Sequence, residues 1–130
     1  MQRRKARQRL LELLFQQEFR AMDPQATLEE RDQDPFLLET LCGIAQHRQQ
    51  LDELIASYTR GWALERLQTV DRNILRLALY ELLHTQTPAE VVINEAVELA
   101  KRFGAEHSAA FVNGLLDRAW KSLKAAQPHA

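Results

Sequence analysis

The chain has 130 residues, 45% of them hydrophobic, which is enough to bury one core or the cores of two very small subdomains. Four Gly, four Pro and few β-branched residues predict an all-α protein rather than one built on sheets. No apolar run reaches the roughly 18 residues of a membrane span, and the single Cys42 cannot form an internal disulfide. We therefore expect a cytoplasmic protein without a signal peptide or a membrane segment.

Positive charge is concentrated at the N-terminus of a chain whose net charge is -1. Residues 1–9 contain five of the 17 Lys and Arg and no acid. Residues 10–130 therefore contain 12 Lys and Arg and all 18 Asp and Glu, which is a net charge of -6. A basic end on an acidic body indicates one oriented contact with an anionic partner, unlike a chain that is basic throughout.

The first predicted helix covers about residues 3–22. Arg3 and Arg7 lie in the same stripe as Leu10 and Leu14, so the buried face becomes cationic at its N-terminal end. Cations at a helix N-terminus are unfavourable, so we expect the first two turns to leave the core and an external anion to compensate them. Several arginines on two turns are typical of arginine-rich RNA binding, and the alternative is a solvated, frayed terminus.

The next segment predicts a loop followed by one or two helices. Residues 23–34 are acidic and indicate a loop or a short, weak helix. Asp34 and Pro35 predict a helix start, because Asp is a strong N-cap and Pro suits the first helical position. Helical spacing continues to about Tyr58, and the polar run at residues 46–50 is a candidate point of division.

The second half predicts a short helical turn and three helices, which makes about seven helical segments in all. Thr69 and Ser108 are the expected caps of the central and the last helix. The central helix is apolar around most of its circumference, which is typical of a buried helix. The predicted ranges are residues 62–67 after a stop at Gly61, residues 70–84, residues 89–104 ending at Gly104, and residues 109–124.

Catalytic and metal-binding residues do not converge in the sequence. Glu95 and Glu98 share a helix side but lack the Glu-x-x-His partner of a di-metal bundle, so we predict a solvated face. The four histidines show no ligand spacing, and Cys42 has no evident base beside it. The four glycines are isolated, which argues against a phosphate-binding loop. We predict no enzyme activity, cofactor or metal.

Helical positions place most of the large aromatic side chains in the core, where packing explains them. This prediction covers Phe15, Phe19, Phe36, Trp62, Phe103 and Trp120. The sequence does not decide whether Phe111 lies in the core or at the surface, because it is beside the small residues Ala109 and Ala110 at the start of the last helix.

Three ordered stretches go beyond generic helical patterns. They are "VDRNILRLALYEL" (Val70–Leu82), "INEAVELAKRFG" (Ile93–Gly104) and "FVNGLLD" (Phe111–Asp117). Together with the N-terminal "RRKARQRLLELLFQQEF" they strongly resemble the NusB transcription antitermination family, although residues 23–60 match only in length and helical character. The resemblance implies one all-helical domain over residues 1–130, made of two small bundles at about residues 1–60 and 61–125.

The resemblance also implies a function in ribosomal RNA transcription. Members of this family bind boxA-type single-stranded RNA together with the ribosomal protein NusE, and the pair joins an antitermination complex of RNA polymerase. The matching positions imply RNA contacts from Arg3, Arg4, Lys5, Arg7 and Phe111, and NusE contacts from Phe15 and Asp71. Phe15 stands where the family often has Tyr, and His107 stands where it often has an acid. The competing interpretation is a protein-only helical module that homodimerises and covers its arginine end.

Overall fold

Six α-helices and one 3-10 turn make up the regular structure of the described residues. The computed structural model describes residues 1–20, 28–59 and 63–126. The helices are α1 (Arg3–Arg20), α2 (Pro35–Gln46), α3 (Arg48–Ser57), α4 (Thr69–His84), α5 (Ala89–Phe103) and α6 (Ser108–Ala126), and the 3-10 turn is Leu64–Arg66. The all-α prediction is confirmed. The prediction of about seven helical segments is close, because the described residues contain six α-helices and the 3-10 turn is the seventh segment.

Some predicted boundaries cannot be compared, because Asp23-Pro24, Gly61 and Trp62 lie outside the described residues. Residues 28–34 are described and contain no helix, so this part of the acidic segment is a loop. None of the helices in the described ranges has the length and apolar content needed to cross a membrane.

The apolar helix α4 lies at the centre of the fold. It contacts α1, α2, α3, α5 and α6. A helix that is apolar on nearly all sides has to be surrounded, and the other five helices supply that cover. Its fully buried apolar side chains are Ile74, Leu75, Leu77 and Leu79. Because α4 packs against helices on both sides of residue 60, the division into two bundles stays a prediction.

The start of α2 and the break between α2 and α3 are as predicted. Asp34 caps α2 through a hydrogen bond that its side chain accepts from the Leu37 amide, 3.1 Å away, and Pro35 is the first helical residue. The two helices are separated at His47, inside the polar run at residues 46–50.

The predicted caps of α4 and α6 are wrong by one position. Thr69 and Ser108 are the first residues inside their helices, and Gln68 precedes α4 without a side-chain cap. The Ser108 hydroxyl accepts a hydrogen bond from the Ala105 amide, so it closes the preceding loop instead. Gly104 follows the last residue of α5, as predicted.

Gly43 allows Tyr80 of α4 to pack against the backbone of α2. A Cβ atom at Gly43 would lie 2.1 Å from the Tyr80 hydroxyl oxygen. The Tyr80 ring also contacts His47 and His84, whose imidazole rings stack with their centroids 4.0 Å apart. The absence of a side chain at Gly43 therefore sets the spacing of α2 and α4.

We predict that Gly43→Ala lowers the free energy of unfolding by about 1 kcal/mol, because overpacking against Tyr80 outweighs the gain in helix propensity. Thermal unfolding followed by circular dichroism measures the change.

The matched control is Gly114→Ala in α6, where an added Cβ would meet no atom within 4 Å. This variant should be more stable than the parent by about 0.5–1 kcal/mol, since Ala is the better helix former. Equal effects of the two substitutions would contradict the packing of Tyr80 on Gly43.

Candidate nucleic-acid interface

One face of the first two turns of α1, from Ala6 onward, packs into the fold, so the prediction that these turns leave the core is wrong for that face. Ala6 and Leu10 are fully buried, and Arg7 between them is 4% exposed. The stripe that contains Arg7 can be buried because acidic side chains of α4 and α5 pair with it.

Arg7 is neutralised by Glu81, an acid on the buried helix α4. Its Nε and Nη2 donate hydrogen bonds to the two Glu81 carboxylate oxygens, both at 2.8 Å. The Glu81 side chain is 1% exposed, and a Glu95 oxygen lies 3.8 Å from Arg7 Nη1. Burial lowers the pKa of Arg7, but the hydrogen bonds and charges of Glu81 and Glu95 outweigh it and raise the pKa. Arg7 therefore needs no external anion.

Arg4 pairs with Glu95 of α5 at the surface. Arg4 Nε and Nη2 donate to the two Glu95 oxygens at 3.1 and 2.8 Å. The hydrogen bond from Arg4 lowers the pKa of Glu95, so this acid is ionised. The Glu95 side chain is only 13% exposed, so the predicted solvated face is wrong for Glu95, whereas Glu98 is exposed as predicted. The Arg4 side chain is still 61% exposed, which leaves part of the guanidinium group accessible to another anion.

Arg9 fastens the loop at residues 28–34 to α1. It donates to both oxygens of the buried Asp32 at 2.9 and 2.8 Å, and also to Glu12 at 2.9 Å. Asp32 in turn accepts a hydrogen bond from the Glu29 amide. Three of the five N-terminal cations, Arg4, Arg7 and Arg9, thus have acidic partners within the chain.

Arg3 and Lys5 remain exposed without an acidic partner among the described residues. The Arg3 guanidinium lies 4.1 Å from the centroid of the Phe36 ring, a cation–π contact that leaves its charge unneutralised. Together with Arg4, they form an exposed cationic patch on the first turn of α1.

Two further cations extend this patch, and sequence reasoning missed them. Lys101 and Arg102 in the last turn of α5 line the same groove as Arg4, with a volume of about 210 Å³. We call it the α1–α5 groove. Glu95 and Glu98 also line it, so its charge is mixed. The sequence signal is the basic pair in "LAKRFG", which lies at the end of the predicted helix of residues 89–104.

Phe111 and Asp71 line one pocket, although the resemblance implied different partners for them. The pocket has a volume of about 590 Å³, and we call it the Phe111 pocket. Phe111 itself is half-buried, while Asp71 is 2% exposed. The other lining residues are Tyr58, Thr59, Arg66, Leu67, Gln68, His107 and Arg118.

Phe15 lies on a separate, apolar surface. Phe15, Phe19 and Phe103 are exposed, so the prediction that they belong to the core is wrong. In α1 the core is filled by a neighbouring stripe that contains Leu10 and Leu14, and Phe15 and Phe19 follow each other on the outer side with ring centroids 4.9 Å apart.

This surface contains a groove with a volume of about 280 Å³, which we call the apolar groove. Its apolar lining residues are Leu11, Phe15, Val70 and Phe103. Of the other aromatic residues predicted in the core, Phe36 and Trp120 are half-buried, and Trp62 lies outside the described residues.

We predict that Arg7→Met destabilises the protein by about 3–5 kcal/mol, because it leaves the Glu81 carboxylate buried without a partner. Chemical denaturation in urea measures the loss. The matched control is Lys5→Met, which removes an exposed cation and should change stability by less than about 0.5 kcal/mol. The double variant Arg7→Met/Glu81→Leu should recover most of the loss, and a stable single Arg7→Met variant would contradict the role of the pair.

A protein-family model described as the NusB family matches residues 4–121. Proteins named transcription antitermination protein NusB are similar over most of the chain. The one from Solibacter usitatus is 41% identical, covering 88% of this chain and 86% of its own length. The one from Bacillus pumilus is 40% identical, covering 95% and 98%. One from Anaeromyxobacter dehalogenans is 53% identical over 85 residues, and there the matched part spans 60% of the relative's length.

Solved structures of related proteins have the same fold. T. maritima NusB superposes with a TM-score of 0.83 at 44% identity, covering 93% of this chain and 92% of its own. A chain from a crystal structure of antitermination factors NusB and NusE in complex with dsRNA has a TM-score of 0.79, covering 92% and 96%. Its identity is 24%, so this second likeness concerns the fold alone.

Proposed function

This chain belongs to the NusB family, and we propose that it is a transcription antitermination factor that binds boxA-type single-stranded RNA together with the ribosomal protein NusE. RNA binding is supported by the exposed cationic patch of Arg3, Arg4 and Lys5 on a chain whose net charge is -1. In this proposal the protein acts in the cytoplasm as a binding component of an RNA polymerase complex, without catalysis or cofactor.

The α1–α5 groove supports this proposal through its charges. Arg4, Lys101 and Arg102 line the groove, where Arg4 pairs with Glu95 and Lys101 with Glu98. Arg3 and Lys5 lie on the adjoining first turn of α1 and have no acidic partner among the described residues. A phosphate backbone lying along this surface would meet cations from two helices, and such contacts supply affinity with little base specificity.

Arg7 has a different role in the proposal from its exposed neighbours. Its Nε and Nη2 atoms both donate to Glu81, and its side chain is buried. We assign to Arg7 the positioning of α1 against α4 and α5, which keeps Arg3, Arg4 and Lys5 facing outward. A direct contact from Arg7 to RNA stays an untested prediction.

The exposed aromatic side chains support a protein partner. Phe15, Phe19 and Phe103 are large apolar side chains that remain exposed in the part of the chain that the structure describes. Aromatic residues are enriched at protein–protein interfaces, and a contiguous exposed apolar patch is a typical mark of one. We propose that NusE docks on the apolar groove, with Phe15 at its centre. The competing possibility is a second copy of this chain on the same surface.

We predict that the triple variant Arg3→Ala/Arg4→Ala/Lys5→Ala weakens binding to labelled boxA-type RNA. Each lost phosphate contact should reduce the slope of log affinity against log salt by about 0.7, so three contacts reduce it by about 2. Fluorescence anisotropy at several salt concentrations, with a scrambled RNA beside it, gives both quantities.

The matched control is Arg31→Ala/Lys121→Ala/Lys124→Ala, which removes three exposed cations from other parts of the chain. It should leave the slope nearly unchanged. An equal loss in the two triple variants would show that the attraction is non-specific. Negligible RNA binding by the parent protein, with and without NusE, would favour the homodimeric module.

We predict that Phe15→Asp weakens NusE binding at least tenfold, because central aromatic residues contribute about 2 kcal/mol or more at interfaces. Calorimetric titration measures the affinity, and the unfolding free energy should change little since Phe15 is exposed. Val91→Asp is the matched control, because Val91 is an exposed apolar residue that does not line the apolar groove. Unchanged NusE affinity of Phe15→Asp would place the partner elsewhere.

A further inference from the structure

Arg3 differs from the other cations of the exposed patch because its side chain rests on an aromatic ring. Its guanidinium carbon lies 4.1 Å from the centroid of the Phe36 ring, the shortest of the five cation–π distances among the described residues. This distance is well inside the roughly 6 Å limit of such a contact. Arg3 is exposed and has no acidic partner in the described part of the chain, so one side of its guanidinium group meets the ring and the other meets solvent.

The Phe36 ring is held in place independently of Arg3. Asp34 and Pro35 fix the start of α2, so the backbone that carries the ring is well defined. The ring itself is half-buried and packs against the core. The guanidinium carbon of the buried Arg7 also lies near it, 5.4 Å from the ring centroid. The ring is therefore a fixed support, and Arg3 is the mobile group that it orients.

A purely structural role for this contact would be small. Buried apolar side chains already join α1 to α2, among them Leu10 and Leu37, and the N-terminal amine of Met1 lies 3.8 Å from a carboxylate oxygen of Asp34. An exposed cation–π contact adds little to such packing. Its main effect is to restrict the side chain of Arg3 to one orientation.

A guanidinium group held in this way has two parts free for a ligand. The group is planar, so when one face lies on Phe36 the opposite face can stack on an unpaired base. Its N–H donors point outward from the edge of the plane and remain available to a phosphate. A side chain that is already oriented loses less conformational freedom when it binds. A lysine at this position would supply the charge but no plane.

We propose that Phe36 positions Arg3 for RNA, so that an unpaired base stacks on the outer face of the Arg3 guanidinium group while a phosphate meets its N–H edge. This inference rests on the proposed function and deepens it. Phe36 acts through Arg3 as a positioning residue, although the sequence pattern predicts only a core role for it. Stacking of this kind accepts every base, so the position adds affinity without sequence preference.

An acidic protein surface fits this arrangement less well. A carboxylate would bind the N–H edge of Arg3 and leave the outer face of the guanidinium group unused. A single-stranded nucleic acid uses both, because each nucleotide brings a flat base and a phosphate together.

The test scans single abasic substitutions along labelled boxA-type single-stranded RNA and measures binding to the full chain by fluorescence anisotropy. Arg3→Lys keeps the charge without the plane, and Phe36→Leu keeps the apolar bulk without the ring. For the parent protein, we expect one position where removal of the base weakens binding about fivefold or more. Both variants should lose this effect. Neither removes a charge, so the slope of log affinity against log salt should stay the same.

The matched controls are Arg31→Lys and Phe19→Leu, which make the same exchanges at exposed residues elsewhere. Both should keep the abasic effect, and Phe36→Tyr should keep it as well because it retains the ring. Thermal unfolding should show that all variants are folded. Phe36→Met is the second variant without a ring and replaces Phe36→Leu if that variant does not fold.

The outcomes separate this inference from the proposed function. An abasic effect that persists unchanged in the folded variants without a ring overturns the role of Phe36, and one that persists in Arg3→Lys overturns stacking on Arg3. A salt slope reduced by about 0.7 in Phe36→Leu shows that a phosphate contact was lost, which also overturns stacking. RNA binding stands in these three cases. Absence of RNA binding by the parent protein at every salt concentration overturns the proposed function and this inference together.

Discussion

The buried ion pair between Arg7 and Glu81 is the contact on which the N-terminal surface depends. A buried ion pair is often no more stabilising than two well-packed apolar side chains in its place. Separating Arg7 from Glu81 is costly, however, because it leaves a buried charge without a partner, so the pair fixes which face of α1 meets α4. With Arg7 held inside, helical geometry carries Lys5 outward and brings Arg4 to Glu95 at the edge of α5. The exposed cationic patch is thus a consequence of one internal pairing.

A second internal network explains much of the "VDRNILR" stretch. Arg72 and Arg76 both donate to Glu18 of α1, and Arg76 also donates to Asp52 of α3. Burial raises the pKa of Glu18, but the hydrogen bonds from the two arginines outweigh it and lower the pKa, so the acid is ionised at neutral pH. Arg72 further donates to the carbonyl oxygens of Leu64 and Leu67, which ties the 3-10 turn to α4. These charges hold the helices together and are not available as a binding surface.

Local signals in the sequence predict where the helices begin and end. Which side chains are exposed at the candidate site depends instead on contacts between residues that are far apart in the sequence. Asp34 and the polar run at residues 46–50 act within one or two turns, so a helix start and a helix break can be inferred from them alone. Arg7 was placed correctly in the apolar stripe, but its partner Glu81 is 74 residues away, and no local pattern shows the pairing. The same reason applies to the aromatic residues, since helical spacing shows that Phe15 shares a face with Phe19 but not whether another helix covers that face.

The apolar groove and the Phe111 pocket meet at the first turn of α4. Val70 lines the apolar groove and Asp71 lines the Phe111 pocket, so two consecutive residues belong to different surfaces. Phe103 also lines the apolar groove, and His107, four residues later in the chain, lines the pocket. The resemblance implies an RNA contact from Phe111. RNA at this pocket and a protein in the apolar groove would then be neighbours, and each would add contact area and charge beside the other. Direct contact between the two bound partners would then make each bind more tightly in the presence of the other, by the same binding free energy. Such cooperativity requires no conformational change in this chain.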